Sequence, residues 1–314
     1  MPDSFFKESE HKATHFSVVI CTYNRAKYLS ATLESVARQS YSAANFEIVI
    51  VDNNSTDTTE AVSLAFRDTY KDLNIRYFME ARQGISYGRN KGVSEAKGEF
   101  IAFIDDDETI APDYLHLLDR FFVDYPDAFL CGGPVVPVLE IAQPHWLSPY
   151  LMRPITGAYD KGKDIKIVKP KDYPGTGHAT FRRDLFIRYG GFNTELGRKG
   201  NSLLGAEDKD FFLRLIQNGV KCYYFPGAVI YHHIPASKLT DDFFHRISYA
   251  IGKSERIRTR SESKVSFYKR LFSEAVKWGG TWTLFFFYLF RLQYAKGKKL
   301  LFFRFNISKG LLGF

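Results

Sequence analysis

Four short runs constrain the fold of this 314-residue chain more than anything else in it: Phe16–Cys21, Glu47–Asp52, Ile75–Met79 and Phe100–Asp105. Successive apolar residues leave no face for water, so these strands need cover on both sides. Between them lie segments with helical spacing. Leu29, Leu33 and Val36 mark a helix over Tyr28–Gln39. Cap residues at Asn54–Asp57 precede a helix running to about Tyr70. Further helices are predicted over Ser86–Ala96 and Pro112–Tyr125, the last opened by a proline. Alternation of this kind predicts a Rossmann-like α/β fold, a mostly parallel central sheet with helices on both faces.

Polar residues gather where three of these strands end: Thr22-Tyr23-Asn24-Arg25, Asp52-Asn53-Asn54-Ser55 and Asp105-Asp106-Asp107. Open α/β sheets bind ligands beyond the carboxyl ends of their strands, which predicts one shared rim for the three clusters. Adjacent carboxylates at Asp105–Asp107 repel one another without a cation, and hard divalent ions bridge such groups to phosphates. An acidic turn ahead of the next helix is the other reading of this tripeptide. Asp52 either opens an Asx-type turn or accepts hydrogen bonds from a base or ribose. Arg82, Arg89 and Asn90 either line an exposed helix face or neutralise phosphate.

Glu207 and Asp208 open a helix, where acidic residues commonly serve the helix dipole. Their alternative use is as general base for an acceptor hydroxyl. His232 and His233 end a strand, and next to a metal diphosphate one of them would serve as ligand or phosphate contact. Gly84 and Gly88 do not form a dinucleotide fingerprint, because the spacing after a strand is wrong. From Pro134 to Pro174 the pattern dissolves into what reads as a long binding loop.

Charge divides the chain unevenly. From Arg246 onward there are 15 Lys/Arg against 3 Asp/Glu, whereas the residues before it carry 28 against 32. In this tail Trp278–Phe290 is apolar and aromatic, with Arg291, Lys296, Lys298, Lys299, Arg304 and Lys309 after it. Such a block suits an anionic lipid surface, a core helix or a dimer contact. It is shorter than the ~20 residues a spanning helix needs. No nucleic-acid recognition motif accompanies the basic residues, so no nucleic-acid partner is expected. Cys21, Cys131 and Cys222 show neither zinc nor disulfide spacing, and suit a reducing compartment. The polar N-terminus does not read as a secretory signal.

Five segments in order resemble glycosyltransferase family 2, with the GT-A fold: VVICTYNR (18–25), IVIVDNNSTD (48–57), GISYGRNKGVSEAKGEFIAFIDDD (84–107), TGHATFRRDLFIRYGGFN (176–193) and GAEDKDFFLRLIQNG (205–219). The resemblance implies an inverting transfer from a nucleoside-diphosphate sugar, most often a UDP-sugar, to a glycan or lipid-linked hydroxyl. It implies that Thr22, Tyr23 and Arg25 line the nucleotide pocket and that Asp52 binds the base. Arg89 would lie near the donor phosphates, Asp105 would contact the ribose or the metal, and Arg82 and Asp106 would belong to the nucleotide-sugar site. Asp107 and Asp105 would hold Mn2+ or Mg2+, joined by His232 or His233. Asp208 would be the catalytic base, supported by Glu207.

The expected domains are a polar segment over 1–15, a catalytic domain over 16–238 (nucleotide-sugar half 16–110, acceptor half 111–238), and a basic helical extension over 239–314. Bacterial surface polysaccharide synthesis on the inner face of the cytoplasmic membrane is the natural setting, and a second copy of the chain is among the expected partners. A sugar nucleotidyltransferase would want a glycine-rich loop where Thr22–Arg25 stands. A non-catalytic binding module would not need the carboxylates that are intact here.

Overall fold

The structure is a computed structural model describing residues 13–200 and 202–314. Most of the expected N-terminal polar segment, residues 1–12, lies outside the described residues.

The chain begins with β1 (Phe16–Thr22), α1 (Ala26–Ala37), β2 (Phe46–Asp52), α2 (Thr59–Thr69), β3 (Asn74–Met79), α3 (Ile85–Glu95) and β4 (Phe100–Phe103). β2 and β4 flank β1, both parallel to it, and β3 adds parallel to β2. Residues facing opposite ways along each strand enter different cores. Val18, Ile20, Ile48 and Ile50 pack with Leu29 and Leu33 of α1, whereas Val19, Val49 and Val51 belong to the opposite core. Each such side chain contributes roughly 1.5–3 kcal/mol when fully buried. This two-sided burial explains why these strands read as continuous apolar runs.

Beyond them come β5 (Glu108–Ile110), α4 (Tyr114–Asp124), β6 (Leu130–Gly132), β7 (Val135–Leu139), α5 (Pro149–Thr156), β8 (Lys166–Ile167), β9 (Ala179–Arg182), α6 (Asp184–Tyr189), α7 (Glu207–Gln217), β10 (Tyr223–Tyr224) and β11 (Ile230–Ile234). Among the described residues one eight-stranded sheet runs β3-β2-β1-β4-β9-β6-β10-β8, and a small sheet runs β5-β11-β7. β9 is antiparallel to both β4 and β6, parallel pairing resumes between β6 and β10, and β8 ends the mostly parallel sheet antiparallel to β10. The stretch 134–174, expected as a loop, contains β7, α5 and β8. Prolines at 149 and 154 break the helical pattern there, yet Leu151 and Ile155 are still buried.

Three helices complete the chain: α8 (Asp241–Glu262), α9 (Lys264–Phe290) and α10 (Tyr294–Leu312). The chain divides into two compact units, and these helices belong to the second, with Pro137–Ala158 and Glu195–Glu207. The first comprises the residues up to Val136, Tyr159–Thr194 and Asp208–His233. In the second, Leu147, Leu151, Phe244, Leu300, Phe303 and Ile307 form the core. Thr240 and Ser263 cap α8 and α9 by accepting from the Phe243 and Ser266 amides. Glycines bring α8 and α10 together: a Cβ on Gly252 would lie 2.0 Å from the Ile307 carbonyl oxygen, and one on Gly310 2.1 Å from that of Tyr249. No helix among the described residues is long and apolar enough to cross a membrane.

Several tail arginines are engaged in a buried network. Glu274 accepts from Arg270 Nη1 at 2.8 Å and Arg304 Nη1 at 3.0 Å. Glu255 accepts from Arg270 Nε and Arg258 Nε, each at 3.2 Å. Burial alone would push the Glu274 carboxyl up, but the Arg304 and Arg270 charges and hydrogen bonds hold it below the ordinary range. Its stabilising contribution is therefore present above the unfolded-chain pKa and is lost as pH falls through the lowered one. Glu274→Gln takes the carboxylate from Arg304 and leaves Arg270 with Glu255 alone, and is expected to cost about 3 kcal/mol at neutral pH. Urea unfolding should show that deficit shrinking in acid.

Candidate active site

Parallel register brings the predicted rim together, with Thr22 directly beside Asp52. Thr22 is buried and Tyr23 half-buried. Asn24 adopts a left-handed φ of 51°, a conformation its short amide side chain tolerates. Its Oδ1 accepts from the Thr56 amide at 2.7 Å, and its own amide donates to Ser55 Oγ at 2.9 Å. Asn53 is buried; its Nδ2 donates to the carbonyls of Glu80 and Arg82, and its Oδ1 accepts from the Gly84 amide at 2.7 Å. These two asparagines stitch the loops after β1, β2 and β3 into one edge. Sequence reasoning placed both on the rim but did not foresee these contacts.

Asp52 is also buried. Its Oδ1 accepts from the Ser55 amide at 2.8 Å, forming the Asx-type turn, and Oδ2 from the Tyr77 hydroxyl at 3.0 Å. Arg82 is exposed and turned back on Glu80, with Nε to Oε1 at 2.8 Å and Nη2 to Oε2 at 3.0 Å. Asn90 exchanges hydrogen bonds with the Phe192 backbone in both directions.

β4 ends in a tight turn in which the Glu108 amide donates to the Asp105 carbonyl at 3.1 Å. Four consecutive carboxylates sit on this turn, each meeting different partners. Arg25 Nη2 donates to Asp107 Oδ2 at 2.6 Å and Arg25 Nε lies 3.5 Å from Asp106 Oδ1. His232 Nε2 lies 3.3 Å from Asp107 Oδ1. Burial and the neighbouring Asp107 charge, offset in part by Arg25, push the Asp106 carboxyl up to about 7. His233 points to the opposite side of β11, its Nε2 3.1 Å from Thr109 Oγ1.

Arg89, buried on α3, joins this turn to the start of α7. Its Nη1 donates to Asp208 Oδ1 at 2.7 Å and its Nη2 to Asp105 Oδ1 at 3.3 Å. The Thr176 amide donates to Asp208 Oδ2 at 3.2 Å. Burial raises the Asp208 pKa, but the Arg89 charge and the Thr176 hydrogen bonds outweigh it and leave the carboxyl below its usual range. Glu207, the first residue of α7, is buried.

Glu108 and His178 brace this arrangement, and the sequence reading passed over both. Glu108 accepts from the Asp105 amide at 3.1 Å through Oε2. Its Oε1 lies 3.3 Å from His178 Nδ1. His178 Nε2 accepts from the Gly175 amide at 2.8 Å, so in the neutral ring the proton belongs on Nδ1, facing Glu108. The acidic turn and the Gly175–His178 segment are thus fixed to each other. The available sequence signals were a fourth acidic residue after Asp107 and a histidine beside Thr176-Gly177.

Among the described residues, no cluster of three or more His, Cys, Asp or Glu side chains is placed to hold a metal by itself. Two groups do fit an ion in part. Asp107 Oδ1 and His232 Nε2 are 3.3 Å apart, close to the roughly 3 Å between adjacent ligands of an octahedral Mg2+. Oxygen and imidazole donors suit Mn2+ and Mg2+, ions that commonly complete their shells with substrate phosphate.

Comparison with known proteins agrees with this architecture. The family model described as Glycosyl transferase family 2 matches residues 17–190. A glucosyl-dolichyl phosphate glucuronosyltransferase of Haloferax volcanii is 29% identical over 246 residues, 77% of this chain and 76% of its own. A mannosyltransferase from Pyrobaculum calidifontis, solved with GDP-Man and Mn2+, superposes with a TM-score of 0.62 at 18% identity, covering 96% of this chain and 88% of that one. Staphylococcus aureus TarS, solved as a fragment with UDP-GlcNAc, gives 0.54 at 20% identity, over 95% of this chain and 92% of that one. This chain spans 45% of a longer TarS structure. Sheet, rim and likeness together define a glycosyltransferase of the GT-A fold. The chain belongs to glycosyl transferase family 2.

Gly177 tests the geometry directly. A Cβ there would lie 2.2 Å from Asp105 Oδ2 and 2.4 Å from Oδ1. Gly177→Ala is expected to push the Asp105 carboxylate off Arg89 and to slow transfer by about tenfold or more. Nucleotide release kinetics would measure the loss, and unchanged thermal unfolding would show the fold retained.

Proposed function

We propose that this enzyme moves a sugar from a nucleoside-diphosphate donor, a UDP-sugar, to a hydroxyl of a glycan or lipid-linked acceptor, inverting the anomeric carbon. One observation carries the reading: a single buried guanidinium, Arg89, holds both Asp105 of the acidic turn and Asp208 of α7. Leaving-group and acceptor chemistry need such neighbouring carboxylates with separate duties. The UDP-GlcNAc complex of TarS supports a UDP donor, and the GDP-Man complex makes GDP-sugars the first competitors. The name of the Haloferax relative supports a lipid-linked acceptor and work at the membrane. We assign the setting to surface glycan or glycoconjugate synthesis on the cytoplasmic side.

In this reading Thr22, Tyr23 and Arg25 line the nucleotide pocket. Asp52 meets the base with the lone pairs its turn leaves available, and Arg82 swings from Glu80 toward phosphate. Asp107 and His232 would hold the divalent cation, with Asp105 and Asp106 beside them; His233 serves the strand instead. Bound there, the cation would supply positive charge to the departing diphosphate. Asp208, ionised because Arg89 lowers its pKa, takes the proton of the acceptor hydroxyl. The acceptor oxygen bonds to the anomeric carbon as the bond to the diphosphate breaks, through a transition state with oxocarbenium character. The nucleoside diphosphate leaves. Glu207 orients the acceptor beside this base.

Asp208→Asn should lower kcat by roughly 10²–10⁴ with donor affinity kept. Because Asp208 loses activity as pH falls through its depressed pKa, Arg89→Met should move the acid limb of the rate profile upward by about one unit or more. A thermal-shift screen of nucleotide-sugars with and without Mn2+ identifies the donor. Asp107→Ala should abolish the metal-dependent part of that shift. Release of pyrophosphate from a nucleoside triphosphate would instead indicate a nucleotidyltransferase.

A further inference from the structure

Helix α9 is built inside out. A surface helix in water normally hides its apolar stripe and shows its charges. Here Glu274 is 4% exposed and Thr281 5%, whereas Phe272 is 74% exposed and Phe290 84%. The outward stripe steps by three or four residues through Val265, Tyr268, Phe272 and Val276, and resumes on the same side at Phe286 and Phe290 after Gly279, Gly280 and Thr283. Monomeric proteins rarely leave so many large apolar side chains on one helix face to water.

Charge says what covers it. From Ser263 to the last residue there are ten Lys/Arg and one carboxylate, Glu274. That carboxylate is consumed by Arg270 and Arg304 in the interior. Lys264, Lys269, Arg291, Lys298 and Lys309 are exposed, so the exposed charges along α9 and α10 are all positive. A second copy of the chain would bring these cations face to face. An anionic bilayer answers both features, taking the phenylalanines into its boundary and the lysines onto its headgroups.

We propose that the outward face of α9 docks on a membrane surface carrying anionic lipid headgroups. The docking residues keep Phe286, Phe290 and Arg291 of the tail block read from the sequence but not the whole of it. Trp278 turns inward, its Nε1 donating to Ser308 Oγ at 3.0 Å, and Arg304 is spent on Glu274. The stripe instead begins at Val265, well before Trp278. Docking does not depend on the sugar chemistry proposed above; it goes beyond it by naming the surface that brings the protein to a lipid.

The test is co-sedimentation of the full chain with vesicles, without donor or acceptor. Wild type should bind mixed phosphatidylcholine–phosphatidylglycerol vesicles at least about tenfold more tightly than phosphatidylcholine alone, and lose that preference in high salt. Phe272→Ser with Phe290→Ser should weaken binding by about tenfold or more, with the melting curve and transfer to a soluble acceptor unchanged. If those substitutions unfold the chain, Lys264→Glu with Lys269→Glu should weaken it instead, since both lysines are exposed. Equal binding by wild type and folded variants overturns the proposal. So does a wild type that ignores vesicles but is dimeric by light scattering, with the variant monomeric. An inactive protein that still binds leaves docking intact and refutes only the reaction; an active one that never binds does the reverse.

Discussion

A guanidinium removed from water must be met by negative charge, and Arg89 is met twice. Its side chain is 6% exposed, with Asp208 on one nitrogen, Asp105 on another and the Phe192 ring 5.7 Å from its centre. Losing either carboxylate would leave a buried charge short of compensation, an expensive defect. The same helix anchors the neighbouring chain by other means. Asn90 clasps the Phe192 backbone, and Ser86 Oγ donates to the Asn193 carbonyl. α3 therefore organises the site: it rests on the parallel strands, holds the segment ending at Asn193, and draws the first turn of α7 toward the acidic turn.

The acidic turn shows how four adjacent carboxylates are kept in one place. Arg89 serves Asp105, Arg25 serves Asp106 and Asp107, and His178 serves Glu108. Burial still exceeds the available compensation at two of them, so the pKa values of Asp106 and Glu108 are raised. Asp105 is the most exposed of the four, and Asp107 is the one beside His232. This division of labour is electrostatic and follows from which side chains the fold can bring within reach.

The strands of the first half were legible because burial on both faces writes a local signal, an unbroken apolar run. Their parallel order followed from the helices between them, and the rim from the parallel order. What escaped was non-local. Arg89 and Asp208 stand 119 positions apart, and nothing periodic announces their pairing. β9 runs against its neighbours, though its residues look like those of any strand. Asn24 and Asn53 act through hydrogen bonds to the backbone of loops after other strands, and Glu108 and His178 through each other's side chains 70 positions apart, which no composition or spacing encodes. The 134–174 stretch looked irregular because its elements are two to eight residues long and broken by proline, too short for a period to emerge.

The tail shows the opposite error, a signal that was strong but too coarse. Its excess of basic residues suggested a charged surface, yet Arg258, Arg270 and Arg304 face inward to Glu255 and Glu274. Net charge is a sum and does not say which charges remain outside. The aromatic residues carry the sharper information, because a phenylalanine in water has no internal use. A carboxylate buried on the inner side of α9 and phenylalanines on its outer side are two halves of one arrangement. The ion pairs hold the first half of the inner side of α9, and Leu284 and Tyr288 pack into the core farther along, while the remaining apolar residues face outward.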